Sequence, residues 1–105
     1  MKKLITLLAL ICGSAQAQFY SGNELWSRLN SSSDTYVPQA YAAGFIAGVA
    51  DSYDGMLFCI PARTTIEQTK DVTYRYLSAN PQTRQQGAAG LVILAFMNAW
   101  PCPKK

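Results

Sequence analysis

A chain of 105 residues, half of them hydrophobic and 14% charged, with a formal net charge of +3 and no histidine, has room for one small domain. The missing histidines exclude Ser-His-Asp and Cys-His nucleophiles and histidine-held metals, and there is no G-x-S-x-G, glycine-rich phosphate loop or C-x-x-C. Two of the nine basic residues, Lys2 and Lys3, open the chain; the rest is close to neutral, with no basic stripe for nucleic acid or a membrane surface.

Met1-Lys2-Lys3, an apolar run from Leu4 to Ile11 broken only by Thr6, and Ala15-Gln16-Ala17 form the three parts of a secretory signal peptide. The run is about half of what a membrane span needs, so residues 1–17 are expected to be removed, leaving a domain of residues 18–105 that begins at Gln18. Export from the cytosol would put its thiols where they oxidise. Cys12 lies inside the leader, and Leu10-Ile11 before it match a lipidation site poorly. That leaves Cys59 and Cys102, expected as one disulfide. It would close 43 residues of chain and, on the chain-entropy argument, contribute at most about 4 kcal/mol.

Four helical patterns follow and no strand pattern. Ser21 three residues before Glu24 is a capping box, and the helix it opens should reach Asn30, with Leu25 and Leu29 stacked at i, i+4. Ser31-Ser32-Ser33-Asp34 reads as a loop. A second helix is expected from about Pro38 to Tyr53, stopped by Gly55, with Tyr41, Phe45 and Val49 turned inward and Ile46 and Tyr53 on the flank. Gly44 and Gly48, widened by Ala40 and Ala47, make a small-residue ridge, suited to close packing inside the bundle or, less directly, to a homodimer seam. A doubled capping signal, Thr64 with Glu67 and Thr65 with Gln68, starts a third helix running to about Ser78. Its expected core stripe is Ile66, Thr69, Val72, Thr73, Tyr76 and Leu77. Asn80-Pro81 then reads as an N-cap and first helical proline, opening a fourth helix from Pro81 to about Ala99. That helix is apolar on all sides late in its course, so it should be central or covered by a partner. The expected fold is therefore all-α, a compact bundle of about four helices with one disulfide.

Few residues suggest chemistry. Asp51 and Asp54, at i, i+3 near a helix C-terminus, are disfavoured by the helix dipole. They read either as an acidic contact point or as a solvated end salt-bridged to Arg63 or Arg75; a calcium site would need more oxygen ligands. Asp71 and Arg75 form an i, i+4 surface pair. Tyr36, Tyr41, Tyr53, Tyr74 and Tyr76 suit either an interface or a half-buried core. No cofactor, no metal and no enzymatic activity are expected. The chain reads as an exported module that binds something.

Five segments in order resemble the Rap/Tai family of type VI secretion immunity proteins. Phe19-Tyr20-Ser21-Gly22-Asn23-Glu24-Leu25 resembles that family's F-x-x-G-N-x-L start, and Gly44-Phe45-Ile46-Ala47-Gly48-Val49-Ala50-Asp51 its G-[YF]-I-x-G-V-x-D helix. Phe58-Cys59-Ile60-Pro61 is similar to its F-C-I-P turn, Tyr76-Leu77-Ser78-Ala79-Asn80-Pro81 to Y-L-x-x-[NH]-P, and Ala99-Trp100-Pro101-Cys102 to its closing x-[FW]-P-C. The resemblance implies a small periplasmic helical protein that binds a secreted peptidoglycan amidase effector and blocks its cleft, often as a homodimer. Members commonly carry a second cysteine pair. Here those regions read Trp26-Ser27-Arg28-Leu29 and Ala40-Tyr41-Ala42-Ala43, so both partners are absent together.

A cleft is plugged with least loss of entropy by a rigid turn anchored at both ends. Ser78 to Gln86 is the expected candidate, offering Asn80, Gln82, Thr83, Arg84, Gln85 and Gln86 as hydrogen-bonding groups, Pro81 as a stiffener and Arg84 as a central anchor. Asp51 with Asp54 is the second candidate surface, suited to a basic effector. The alternatives are a periplasmic chaperone or stress protein, which would expose an apolar patch, and a phage-type exclusion protein that inhibits another cell-wall hydrolase.

Overall fold

The computed structural model of the chain describes residues 19–31 and 36–104; the expected leader, Cys12, Gln18 and most of the serine loop lie outside the described residues. The expected all-α bundle is found: α1 Gly22–Leu29, α2 Tyr36–Tyr53, α3 Ile66–Ala79 and α4 Ala88–Ala99, with a short 3-10 turn Pro81–Thr83 between α3 and α4. Each helix touches the other three. The described residues contain no strand, only isolated bridges from Ser21 to Gly87 and from Asp54 to Phe58.

Local chemistry sets the helix ends. The Ser21 hydroxyl accepts the Glu24 N–H at 3.2 Å and opens α1. Of the two capping signals before α3, only the second is used. Thr65 Oγ1 accepts the Gln68 N–H at 3.2 Å, and the Gln68 side chain accepts the Thr65 N–H at 2.8 Å. Thr64 instead donates to the Pro61 carbonyl at 2.7 Å, and Glu67 pairs with Lys70 at 3.3 Å. Gly55, with φ +83°, ends α2 in the left-handed conformation expected of a glycine stop.

The core is built from Leu25 of α1, Ile46 of α2, Leu77 of α3 and Leu91, Val92 and Phe96 of α4, closed below by Phe58. Phe58 meets Phe96 edge-on with ring centroids 5.1 Å apart, and Trp100 packs beside Phe96 at 5.4 Å. The disulfide forms as expected between Cys59 and Cys102, with Cα atoms 4.8 Å apart. The Cys59 N–H also donates to the Trp100 carbonyl at 2.8 Å, so the tail is tied to the α2–α3 connector twice.

Three sequence expectations need correcting. The buried face of α2 is Ala42, Ile46, Val49 and Ala50; Tyr41 is 56% exposed, Tyr53 lies at the surface and Phe45 is half-buried. Alanine lets α2 approach its neighbours, and the large rings are pushed to the rim. The Gly44–Gly48 ridge is consequently exposed, and a Cβ on either glycine would meet nothing within 4 Å among the described residues. On α3, Ile66 is 53% exposed, while Thr69, Thr73 and Leu77 are buried and Val72 and Tyr76 pack against the core's edge. The two buried threonines return their hydroxyls to backbone carbonyls, Thr73 to Thr69 at 2.8 Å and Thr69 to Ile66 at 2.7 Å.

Helix α4 starts at Ala88 rather than Pro81. The carbonyls of Arg84 and Gln86 are turned away to accept N–H groups from α1, so they cannot serve an i, i+4 ladder. As expected of an all-apolar helix, α4 is central, burying Ala88, Leu91, Val92, Ala95 and Phe96; Leu94 and Met97 remain on its outer side.

Candidate partner-binding site

The second half of the segment between α3 and α4 is braced on α1. The first N–H groups of a helix have no partner within it. Here Gly22 N–H donates to the Gln86 carbonyl at 2.9 Å and Asn23 N–H to the Arg84 carbonyl at 2.7 Å. Two residues before Gly22, the Tyr20 carbonyl accepts the Ala88 N–H at 2.8 Å. This closeness requires glycine at position 22: a Cβ there would lie 2.7 Å from the Arg84 carbonyl oxygen and overlap the Leu91 side chain. On the other side of the turn, the Trp26 indole N–H donates to Ser78 Oγ at 3.0 Å.

Inside the turn, Asn80 donates its side-chain amide to the Tyr76 carbonyl at 2.8 Å, and Thr83 Oγ1 donates to the Asn80 carbonyl at 3.2 Å. Asn80, Thr83 and Arg84 are therefore half-buried, whereas Pro81, Gln82, Gln85 and Gln86 are exposed. Arg84 does not point freely into solvent. Its guanidinium lies over Trp26, 4.0 Å from the ring centroid, and its Nε is buried with no acceptor. The sequence reading did not find Trp26 as part of this site. Trp26 and Ser78 are 52 residues apart, and no spacing rule connects them.

The second expected surface splits. Asp51 is exposed on the last turn of α2. Asp54 is committed to its own turn: its Oδ1 accepts the Ile60 N–H at 2.8 Å, while Gly55 N–H donates to the Phe58 carbonyl at 2.8 Å. Neither aspartate pairs with Arg63 or Arg75 among the described residues; Arg75 pairs with Asp71 at 3.0 Å, as its spacing suggested. Two well-exposed apolar side chains, Met56 and Leu57, stand on the turn that Asp54 holds.

A small aromatic cluster at the rim of α2 was also not foreseen. The Tyr20 ring lies 4.9 Å from Phe45 and 5.7 Å from Tyr41, and the Arg28 guanidinium sits 4.6 Å over Tyr41. The Tyr20 hydroxyl is buried without a hydrogen-bond partner. Burial raises its pKa above the ordinary tyrosine value, with the nearby Arg28 charge opposing. No group of three or more Cys, Asp or Glu side chains among the described residues is placed to hold a metal ion. None of the described helices is long and apolar enough to cross a membrane.

The described residues form a small all-α bundle stapled by one disulfide, with a polar turn between α3 and α4 tied to α1. Its family is explicit: residues 8–102 match the model of the Rap1a immunity proteins, and the chain belongs to that family. Its role is accordingly that of an immunity protein, which acts by binding a partner effector. No curated protein matches the chain. The shared motifs now have physical reasons: Ser21 caps α1, Gly22 admits the α3–α4 turn, Phe58 fills the core and Cys59 is stapled to Cys102.

Proposed function

We propose that this protein acts in the periplasm, after removal of residues 1–17, as the immunity partner of a peptidoglycan amidase effector delivered by a type VI secretion system. It inhibits by inserting the turn around residues 80–85 into the effector's cleft, with Asn80, Pro81, Gln82, Thr83, Arg84 and Gln85 at the contact. The observation that carries this reading is the bracing of that turn on α1 by the Gly22, Asn23 and Trp26 hydrogen bonds. A turn already ordered in the free protein loses little entropy on binding. Asp51 supplies a secondary acidic contact, while Asp54 supports the neighbouring turn. A homodimer formed through the outer face of α2, where Gly44 and Gly48 are uncovered, belongs to the same reading.

The test is protection. A periplasm-directed amidase effector from the same genome is expressed with and without this protein, and lysis is followed. Protection by the wild type that is lost with Arg84→Ala plus Gln85→Ala is expected; full protection by that variant would refute the turn as the contact. An uncleaved, reduced polypeptide confined to the cytoplasm would refute the periplasmic assignment.

A further inference from the structure

The geometry points to a carboxylate-reading site on this turn: we propose that Arg84 binds an Asp or Glu side chain of the partner protein, and that Trp26 is the positioning residue that presents it. The proposal rests on the reading of the 80–85 turn as the effector contact and names the chemistry it recognises.

Four observations converge. Trp26 is a fixed platform, half-buried and with its indole N–H committed to Ser78 Oγ at 3.0 Å. The Arg84 guanidinium is stacked on that platform at 4.0 Å. Its backbone is pinned by the Asn23 N–H to its carbonyl at 2.7 Å. Finally, the guanidinium has no carboxylate or other acceptor among the described residues. The two ion pairs there are Lys70 with Glu67 and Arg75 with Asp71, and the Arg84 Nε is buried without a partner.

Stacking on a ring occupies a guanidinium face and leaves its N–H edge free. Holding the side chain in one place removes most of the rotamer entropy that an arginine loses when it binds. The buried Nε has no acceptor in the free protein and is not served by a carboxylate on the Nη edge, so the gain from binding comes from new charge-assisted bonds at the Nη groups. The planar fork of two Nη groups fits a carboxylate with two parallel hydrogen bonds, which a lysine ammonium cannot reproduce. The partner's cleft should therefore carry an acidic residue at the depth this turn reaches.

The experiment measures affinity of the purified protein for a recombinant peptidoglycan amidase effector from the same genome, with thermal melting of every variant as a folding control. Arg84→Gln is expected to weaken binding by about 30-fold or more, the scale for removing one member of a hydrogen-bonded charge pair. Arg84→Lys should recover only a minor part of that loss. Trp26→Phe keeps an aromatic platform and should weaken binding several-fold, while Trp26→Ala weakens it further. In a Trp26→Ala background the Arg84→Gln change should cost much less than in the wild type, since the two residues act as a unit. Binding by the wild type should weaken with salt, and less steeply with Arg84→Gln. If the wild type binds the amidase but Arg84→Gln and Trp26→Phe change only the melting temperature, Arg84 is a structural strut and the proposal is overturned while the immunity reading stands. Failure of the wild type to bind any such amidase overturns the amidase reading and the carboxylate site with it.

Discussion

Gly22→Ala probes the contact on which the whole site depends. In most helices this change is favourable, by up to about 1 kcal/mol. Here the new methyl would lie 2.7 Å from the Arg84 carbonyl oxygen and 3.2 Å from its Cα, both backbone atoms that cannot rotate away. It would also overlap the Leu91 side chain, which can. Relief requires α1 to separate from the turn. That stretches the hydrogen bonds from Gly22 to Gln86 and from Asn23 to Arg84, each contributing roughly 0.5–1.5 kcal/mol. Overpacking adds about 1–3 kcal/mol. Set against the propensity gain, the net destabilisation is about 2–4 kcal/mol, a large part of the 5–15 kcal/mol typical of a domain. Urea unfolding of the oxidised protein, followed by helical circular dichroism, reads this as a drop of about 2–4 M in the midpoint, for a denaturant slope near 1 kcal/mol/M. Gly44→Ala and Gly48→Ala provide the contrast. A Cβ at either position meets nothing within 4 Å, so each should stabilise the protein by about 0.5–1 kcal/mol. A Gly22→Ala protein as stable as the wild type would refute the claim that α1 and the turn are in rigid backbone contact.

Replacing Cys59 and Cys102 together by serine should cost up to about 4 kcal/mol, for a crosslink spanning 43 residues, and lower the melting temperature by up to about 16–32 °C; reduction of the wild type should do the same. Tyr20→Phe removes a buried, unpartnered hydroxyl and should leave stability unchanged or raise it by about 1 kcal/mol near neutral pH. The Tyr20 pKa is raised in the folded state, so above about pH 10 the unfolded chain loses this proton first and wild-type stability falls as pH rises. That fall should be shallower in Tyr20→Phe, as denaturant titrations at pH 9 and 11 can read. Asp54→Ala should cost about 1 kcal/mol through loss of the bond to the Ile60 N–H. Asp51→Ala should change stability by less than about 0.5 kcal/mol, because its side chain is exposed on the final turn of α2; chemical denaturation of both variants separates the two aspartates.

Local chemistry alone determined the helix count, the caps at Ser21 and Thr65, the glycine stop at Gly55 and the pairing of Cys59 with Cys102. Each depends on residues within a few positions of one another, or on simple parity, and those constraints act before the chain collapses. The faces of α2 and α3 were only half legible, because periodicity shows that an apolar stripe exists but not which neighbour it meets. Alanines became the inner surface of α2 and Tyr41 the rim, since the helices can approach only where side chains are short. The start of α4 was misplaced by seven residues. Pro81 opens a single 3-10 turn, but the Asn80 side chain makes no N-cap bond, and two carbonyls beyond it are claimed by α1. Only the tertiary structure decided that Gly22 is a contact point, that Trp26 carries Arg84, and that Asp54 accepts the Ile60 N–H of its own turn. In each case the deciding neighbour is remote in sequence or hidden in a turn's backbone, and only packing brings the pair within hydrogen-bonding or stacking distance.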